Sequence, residues 1–525
     1  MALTPFAKLP VDCWLLILEQ LPFQELLSLS KTSRDLRDSA EPYLYRSIHW
    51  DWSNPPLDRV LMLLRTIAER PHVASYIWHV SMNNWGAVYE VEGNFQLARA
   101  KGAWMKKHQR FRPTLRWARM LVRSAKYPPK MEQKWVSLLA NGNEYAYATV
   151  LLSLLHNLRS LRLDFSFVAE HGLPGMMLYH SLFANVPPGL LSKFTKLEMV
   201  DYGGNAPLIN FESSELFGKN HQFMPWFHLP SLKILEIWLP NIEGITWLTE
   251  PSAMLHSPPL LSLRSLIITR SSASAEELGT LLSKVPSLSS VHVGMAYRCV
   301  ATSDFLKESP HLLAALEAKL QTLQHLSISL EVMPGCAENY HIPIDGSISS
   351  EPFRGFLNKF PKLQTVEIPL NFLLGWGGAK YRLQDVLPRD VTTIHIRPDF
   401  WVYEDMPFFS SKVHKAVMEL LGEENHPLQS LREISYEGPP NDHYGWDDYQ
   451  QSTVSMVLAE KVTYAACKVK GIWLMSRHRF WMPGNMAMRG QWPQGAPVKR
   501  EEGICHNMWP FLYEDKLPPF MKYVF

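Results

Sequence analysis

The chain has 525 residues, 46% of them apolar, and its 52 basic residues nearly balance 50 acidic ones for a net charge of +2. That balance argues against a dedicated nucleic-acid binder, which carries a basic excess or a basic stripe, and the length implies several domains around a sizeable core. The five cysteines (Cys13, Cys299, Cys336, Cys467 and Cys505) are scattered and never form a Cys-x-x-Cys pair, which speaks against a disulfide framework or a zinc site and for a reducing compartment. No signal-peptide pattern opens the sequence, no apolar run approaches the ~20 residues of a membrane span, and no Asn-x-Ser/Thr sequon occurs. The expectation is a soluble protein of the cytoplasm or nucleus.

The first predicted element begins at Leu9-Pro10-Val11-Asp12. Pro is favoured in a first helical turn, where its missing amide has no partner anyway, and Asp12 suits the positive end of that helix. Trp14, Leu15, Ile17, Leu18 and Leu21 supply its apolar residues, leave Glu19 and Gln20 for solvent, and Leu21-Pro22 breaks it. A second helix starts in Gln24-Glu25-Leu26-Leu27-Ser28-Leu29, and a third follows Thr32-Ser33-Arg34-x-Leu36. This spacing resembles the F-box, and Glu41–Ile48 is similar to the exit segment of fungal F-box proteins. Asp12 stands where the family usually has Glu, and Thr32 where it usually has a bulkier apolar residue. A module of about 40 residues is too small to bury its apolar side chains alone, and leftover apolar surface calls for a partner. The resemblance implies that partner to be a Skp adaptor and, through it, a cullin scaffold. The positions matching the motif are Leu9, Pro10, Leu15, Ile17, Leu18, Leu21, Leu26, Leu29 and Arg34; some belong to the module's own core and others to the interface, and spacing does not separate them.

Beyond this module (residues 1–50), residues 51–475 repeat an apolar-x-x-apolar-x-apolar pattern. It runs through Leu158/Leu161/Leu163, Leu197/Val200/Tyr202, Leu232/Leu235/Ile237, Leu263/Leu266/Ile268, Leu288/Val291/Val293, Leu323/Leu326/Ile328, Leu363/Val366/Ile368 and Val391/Ile394/Ile396. Weaker copies fall at Leu431/Ile434/Tyr436 and Val469/Ile472/Leu474, and an outlying one at Ile77/Val80/Met82. The last two anchors of each copy share one face of a strand. Pro230, Pro286 and Pro361, placed two residues before an anchor, stop the preceding helix. Helical stripes lie between the strands: a capping box at Ser274-Ala275-Glu276-Glu277 leads into Leu278, Leu281, Leu282 and Val285, with further stripes at Leu312, Leu313, Leu316, Leu320 and at Val413, Val417, Leu420, Leu421. One strand plus one helix cannot bury its apolar face alone, so stacked units give a solenoid with a parallel sheet. The pattern resembles degenerate leucine-rich repeats: units are longer than the usual ~20–29 residues, and the closing Asn occurs only as Asn205 and Asn371. The fold expected is therefore α/β, a helical F-box followed by an irregular leucine-rich-repeat solenoid.

Residues 84 to about 143 read as an insertion carrying Lys106, Lys107, Arg110, Arg112, Arg116, Trp117 and Arg119. A solvated helical face is the preferred reading, with contact to RNA or an acidic partner as the alternative. The segment 476–525, with Phe480-Trp481-Met482-Pro483, Gln491-Trp492-Pro493 and Trp509-Pro510-Phe511, is too aromatic for a disordered tail and is expected to cap the last repeat or to act as a binding flap.

The residues between the two strand anchors point to the opposite, concave face: Arg162, Asp201, Glu236, Ile267, His292, Ser327, Glu367, His395, Ser435 and Trp473. This mixed row is the expected site for a protein substrate, and Trp473 its strongest anchor. No Gly-x-Ser-x-Gly, P-loop, His-Glu-x-x-His or Gly-x-Gly-x-x-Gly occurs. His292 and His395 have no obvious sequence partner for catalysis, so no catalytic residue, cofactor or metal is assigned. The resemblance implies a substrate receptor of a Skp–cullin–F-box ubiquitin ligase, performing no chemistry itself. The alternatives are an F-box scaffold acting with the adaptor outside ubiquitin transfer and a solenoid binding module that engages no adaptor.

Overall fold

A computed structural model describes residues 9–83 (except 53), 109–206, 221–245, 260–297 (except 261), 302–332, 355–375, 381–399, 406–422, 428–438 and 450–478. Within these, twelve strands form one sheet whose spatial order is the chain order. They are β1 (Ser47–Asp51), β2 (His79–Asn83), β3 (Ser160–Leu163), β4 (Met199–Tyr202), β5 (Ile234–Ile237), β6 (Ser265–Ser271), β7 (Ser290–Tyr297), β8 (His325–Val332), β9 (Thr365–Pro369), β10 (Thr393–Arg397), β11 (Glu433–Gly438) and β12 (Trp473–His478). Every neighbouring pair is parallel.

Parallel neighbours need a crossover, and most crossovers here contain helices. Their apolar stripes meet the strand anchors in one large core. Leu161, Leu163, Val200, Tyr202, Leu235, Ile237, Leu266, Ile268, Val291, Val293, Leu326 and Ile328 are all buried there, together with Leu278, Leu281, Leu282, Leu312, Leu316, Val413, Val417 and Leu420 from the helices. The first anchors, from Leu158 to Leu431, are buried as well. The capping box forms as its sequence predicts: the Ser274 hydroxyl accepts from the Glu277 amide, and the Glu277 carboxylate accepts from the Ser274 amide.

Three features differ from the sequence reading. The end of the exit segment, Ile48, lies in a strand that the repeat pattern did not include; Ile48 and Trp50 alternate inward in β1, and the strand pairs with β2. The last repeat is shifted by two residues. Leu474, not Ile472, pairs with Ile434, and Val469 is 85% exposed instead of serving as a first anchor. Gly471, in the left-handed region at φ +71°, stands where the other copies have that anchor. The described part of the basic segment, read as an insertion outside the repeat, forms part of the crossover between β2 and β3. Helices Arg112–Ser124 and Pro129–Ala140 bury Leu115, Ala118, Val122, Trp135 and Leu139 against the core. Arg110, Arg112 and Arg116 remain exposed and Trp117 is half-buried, whereas Lys106 and Lys107 lie outside the described residues. The aromatic segment also lies outside them, apart from residues 476–478 of β12.

Candidate protein-interaction surfaces

The N-terminal module has three helices: α1 (Val11–Gln20), α2 (Phe23–Leu29) and α3 (Arg34–Tyr45). Pro10 and Pro22 precede the first two, and Ser33 caps the third by accepting from the Leu36 amide at 3.2 Å. The core of the module is small. Leu18, Leu26 and Ala40 are buried in it, and Trp14, Leu21, Leu29, Tyr43 and Leu44 pack partly against them.

The nine motif positions thus divide by burial. Leu18 and Leu26 are core, Leu21 and Leu29 are half-buried supports, and Leu9, Pro10, Leu15, Ile17 and Arg34 face outward. Three exposed apolar residues had not been singled out: Val11, Leu16 and Phe23, at 70%, 62% and 57% exposure. Their signal was present in the sequence, because a helix with Leu15, Leu16 and Ile17 in succession carries apolar residues around more than one face and cannot bury them all inside so small a bundle. With Leu9, Leu15 and Ile17 they give a contiguous stretch of sequence rich in unburied apolar side chains.

The module is tied to the first strands. Arg46, at the junction, bonds Glu19 of α1 at 2.7 Å and lies over the Trp78 ring at 4.5 Å. Arg70 pairs with Glu41 of α3 at 2.5 Å, while within the module the Tyr43 hydroxyl of α3 donates to the Leu15 carbonyl of α1 at 3.3 Å.

The second candidate surface is the row between the anchors. Strand register joins Arg162, Asp201, Glu236, Ile267, His292, Ser327, Glu367, His395 and Ser435 on successive strands. Ser435 is then followed by Met475; Trp473 lies two residues earlier, beside Glu433, and is 61% exposed. The expected openness of this row is not what the structure has. Arg162, Glu236 and Ile267 have no exposed surface, and Asp201, His292, Ser327, Glu367 and Ser435 are also buried, with His395 half-buried. Strands about 4.8 Å apart crowd long side chains in a shared row, and here polar members bond along it. Arg162 reaches Asp201 at 3.4 Å. His292 meets the Ser327 hydroxyl at 2.6 Å and His395 meets Ser435 at 3.0 Å. Two residues earlier along the strands, His79 meets Ser160 at 2.8 Å in the same manner. Burial, followed by the charges of Arg46 and Arg159, lowers the His79 pKa to about 4, so it is neutral near pH 7.

Glycine keeps this row closed at one point. The Gly204 amide donates to Asp201 Oδ1 at 2.9 Å, and a Cβ on Gly204 would lie 2.5 Å from Glu236 Oε1. Farther along, Arg397 bonds Glu367 at 2.9 Å and Asp399 through two contacts of 3.0 Å, while Asp399 accepts the Leu330 amide. No group of three or more His, Cys, Asp or Glu side chains suited to a metal ion occurs among the described residues. No described helix is long and apolar enough to cross a membrane.

The F-box domain family model matches residues 6–43, spanning α1, α2 and most of α3. No match to a curated protein was found. The chain therefore carries an F-box domain at this end, a module that binds a Skp-type adaptor, followed by a mixed α/β region with a twelve-stranded parallel sheet.

Proposed function

We propose that this protein is the substrate-recognition subunit of a Skp–cullin–F-box ubiquitin ligase acting inside the cell, with the F-box on the adaptor and the repeat region on a protein substrate. It performs no chemistry; it raises the effective concentration of a substrate lysine near the charged ubiquitin carrier. The observation carrying this reading is the unburied apolar set Leu9, Val11, Leu15, Leu16, Ile17 and Phe23 on a module matched as an F-box. Successive parallel strands in chain order, most of them built on the same anchor spacing, support a degenerate leucine-rich-repeat solenoid as the recognition half. Of the residues assigned to substrate, Trp473 and His395 retain accessible surface, so direct contact centres there. Co-purification tests the reading. Intact protein bringing down both adaptor and cullin, with both lost on deletion of residues 9–45, supports it. Adaptor without cullin points instead to a scaffold outside ubiquitin transfer.

A further inference from the structure

The residue just before each strand makes a row of its own. Main-chain bonds link Arg46 to Trp78, Trp78 to Arg159, Arg159 to Glu198, Glu198 to Lys233, and Lys233 to Arg264, one strand to the next. This places four cations, one aromatic ring and one carboxylate along the strand-entry edge of β1–β6. The guanidinium groups of Arg46 and Arg159 both lie over the Trp78 ring, at 4.5 and 4.2 Å. The single acid, Glu198, is already held by Lys233 at 2.6 Å. Arg46 is likewise held by Glu19.

The remaining charge is unbalanced. Arg159, Lys196 and Arg264 are exposed, and none has an ion pair among the described residues. Lys196 extends the row sideways, where it donates to the Asn157 side chain at 2.7 Å. Beside that pair, His156, Lys193, Phe194 and Thr195 help line a cavity of about 340 Å³, large enough to take a side chain. A basic strip of this kind on a chain of net charge +2 is a local feature.

We propose that the strand-entry edge of β1–β6 binds an acidic peptide segment, and that this edge, not the buried row, makes the main electrostatic contact with substrate. This rests on the receptor reading given above. Five strand spacings of about 4.8 Å span ~24 Å, matching ~7 residues of extended chain. A peptide is favoured over nucleic acid because Glu198 interrupts the strip and Glu19 occupies one end, which breaks the continuous cationic track a phosphate backbone needs. Such contacts set on-rate and partner choice, and they weaken with salt.

The test uses the full chain with its adaptor and four labelled probes: oligo-glutamate, the same peptide with phosphoserines, oligo-glutamine, and a single-stranded oligonucleotide. Fluorescence anisotropy is followed at two salt concentrations. Saturable, salt-sensitive binding of oligo-glutamate or the phosphopeptide is expected, with none for oligo-glutamine; the stronger of the two acidic probes identifies the source of the negative charge. The variant K196E/R264E, which leaves the Trp78 stack untouched, should weaken that binding about tenfold or more, with thermal unfolding and adaptor capture unchanged. Unaltered binding by a folded K196E/R264E, or preference for the oligonucleotide, overturns the proposal. Loss of adaptor capture by the unmodified protein would overturn the receptor reading while leaving the peptide measurement interpretable.

Discussion

Changing Leu15 and Leu16 together to serine separates adaptor contact from folding. The two side chains are 42% and 62% exposed, so what they leave unburied amounts to about one whole leucine. Fully burying such a side chain is worth roughly 1.5–3 kcal/mol. If the adaptor covers both, the double variant should lose about that much, a ~10- to 150-fold rise in Kd. Leu18→Ser is the contrast, because Leu18 is fully buried between α2 and α3 and packs with Leu26 and Ala40. Truncating it opens a cavity and should cost the module about 2–5 kcal/mol, enough to unfold so small a bundle. Titration calorimetry against purified adaptor reads the first effect, and limited proteolysis of the 9–45 region reads the second. Wild-type affinity in a folded Leu15/Leu16 variant would refute the assignment of this surface to the adaptor.

Three other outcomes follow from the repeat region. Arg162→Met should destabilise it by about 3–5 kcal/mol, because Asp201 loses its buried cation with Glu236 next in the row; denaturant unfolding measures it. Ser274→Ala removes one half of the capping box and should cost about 1 kcal/mol by the same measurement. His79 and His414 are buried, and burial lowers the pKa of each to about 4. Their unfolded forms take up protons near the ordinary value of about 6.5 while the folded forms do not. Stability is therefore full above about pH 6.5 and declines as pH falls toward 4, by up to about 3 kcal/mol for each histidine; His79→Gln should flatten part of that decline in pH-dependent unfolding curves.

The strands were legible because their anchors are hydrophobic at fixed spacing, and a parallel sheet buried on its helix-facing side imposes that spacing on each copy. β1 was hidden because Ile48 and Trp50 alternate over only five residues, directly after a helix whose motif absorbs them. The shift in β12 was hidden for a similar reason. Val469 has the chemistry of an anchor but sits at the end of a helix, and the turn that replaces an anchor is made by Gly471. In the F-box, Leu15, Leu16, Ile17 and Leu18 are chemically alike, so only the packing of α2 and α3 decides that Leu18 is core and the others are surface. Spacing also assigns Arg162, Asp201 and Glu236 to a common face, but it carries no information on how far water reaches that face. For this reason Glu236→Lys, attractive as a binding-site change, is a folding change: it places an ammonium group at a site with no exposed surface, beside Asp201 and Arg162.

Agreement between strand order and chain order also bears on synthesis. A sheet that interleaves distant strands must leave early ones unpaired until late ones are made, with open edges available for misassembly. Here β1 can pair as soon as β2 leaves the ribosome, β2 as soon as β3 does, and so on to β12. The growing sheet exposes one new edge at a time, and the F-box is complete before any of it begins. A nascent chain halted after β6 already contains the adaptor module and the whole basic strand-entry edge, so adaptor capture can start while the second half of the protein is still being translated.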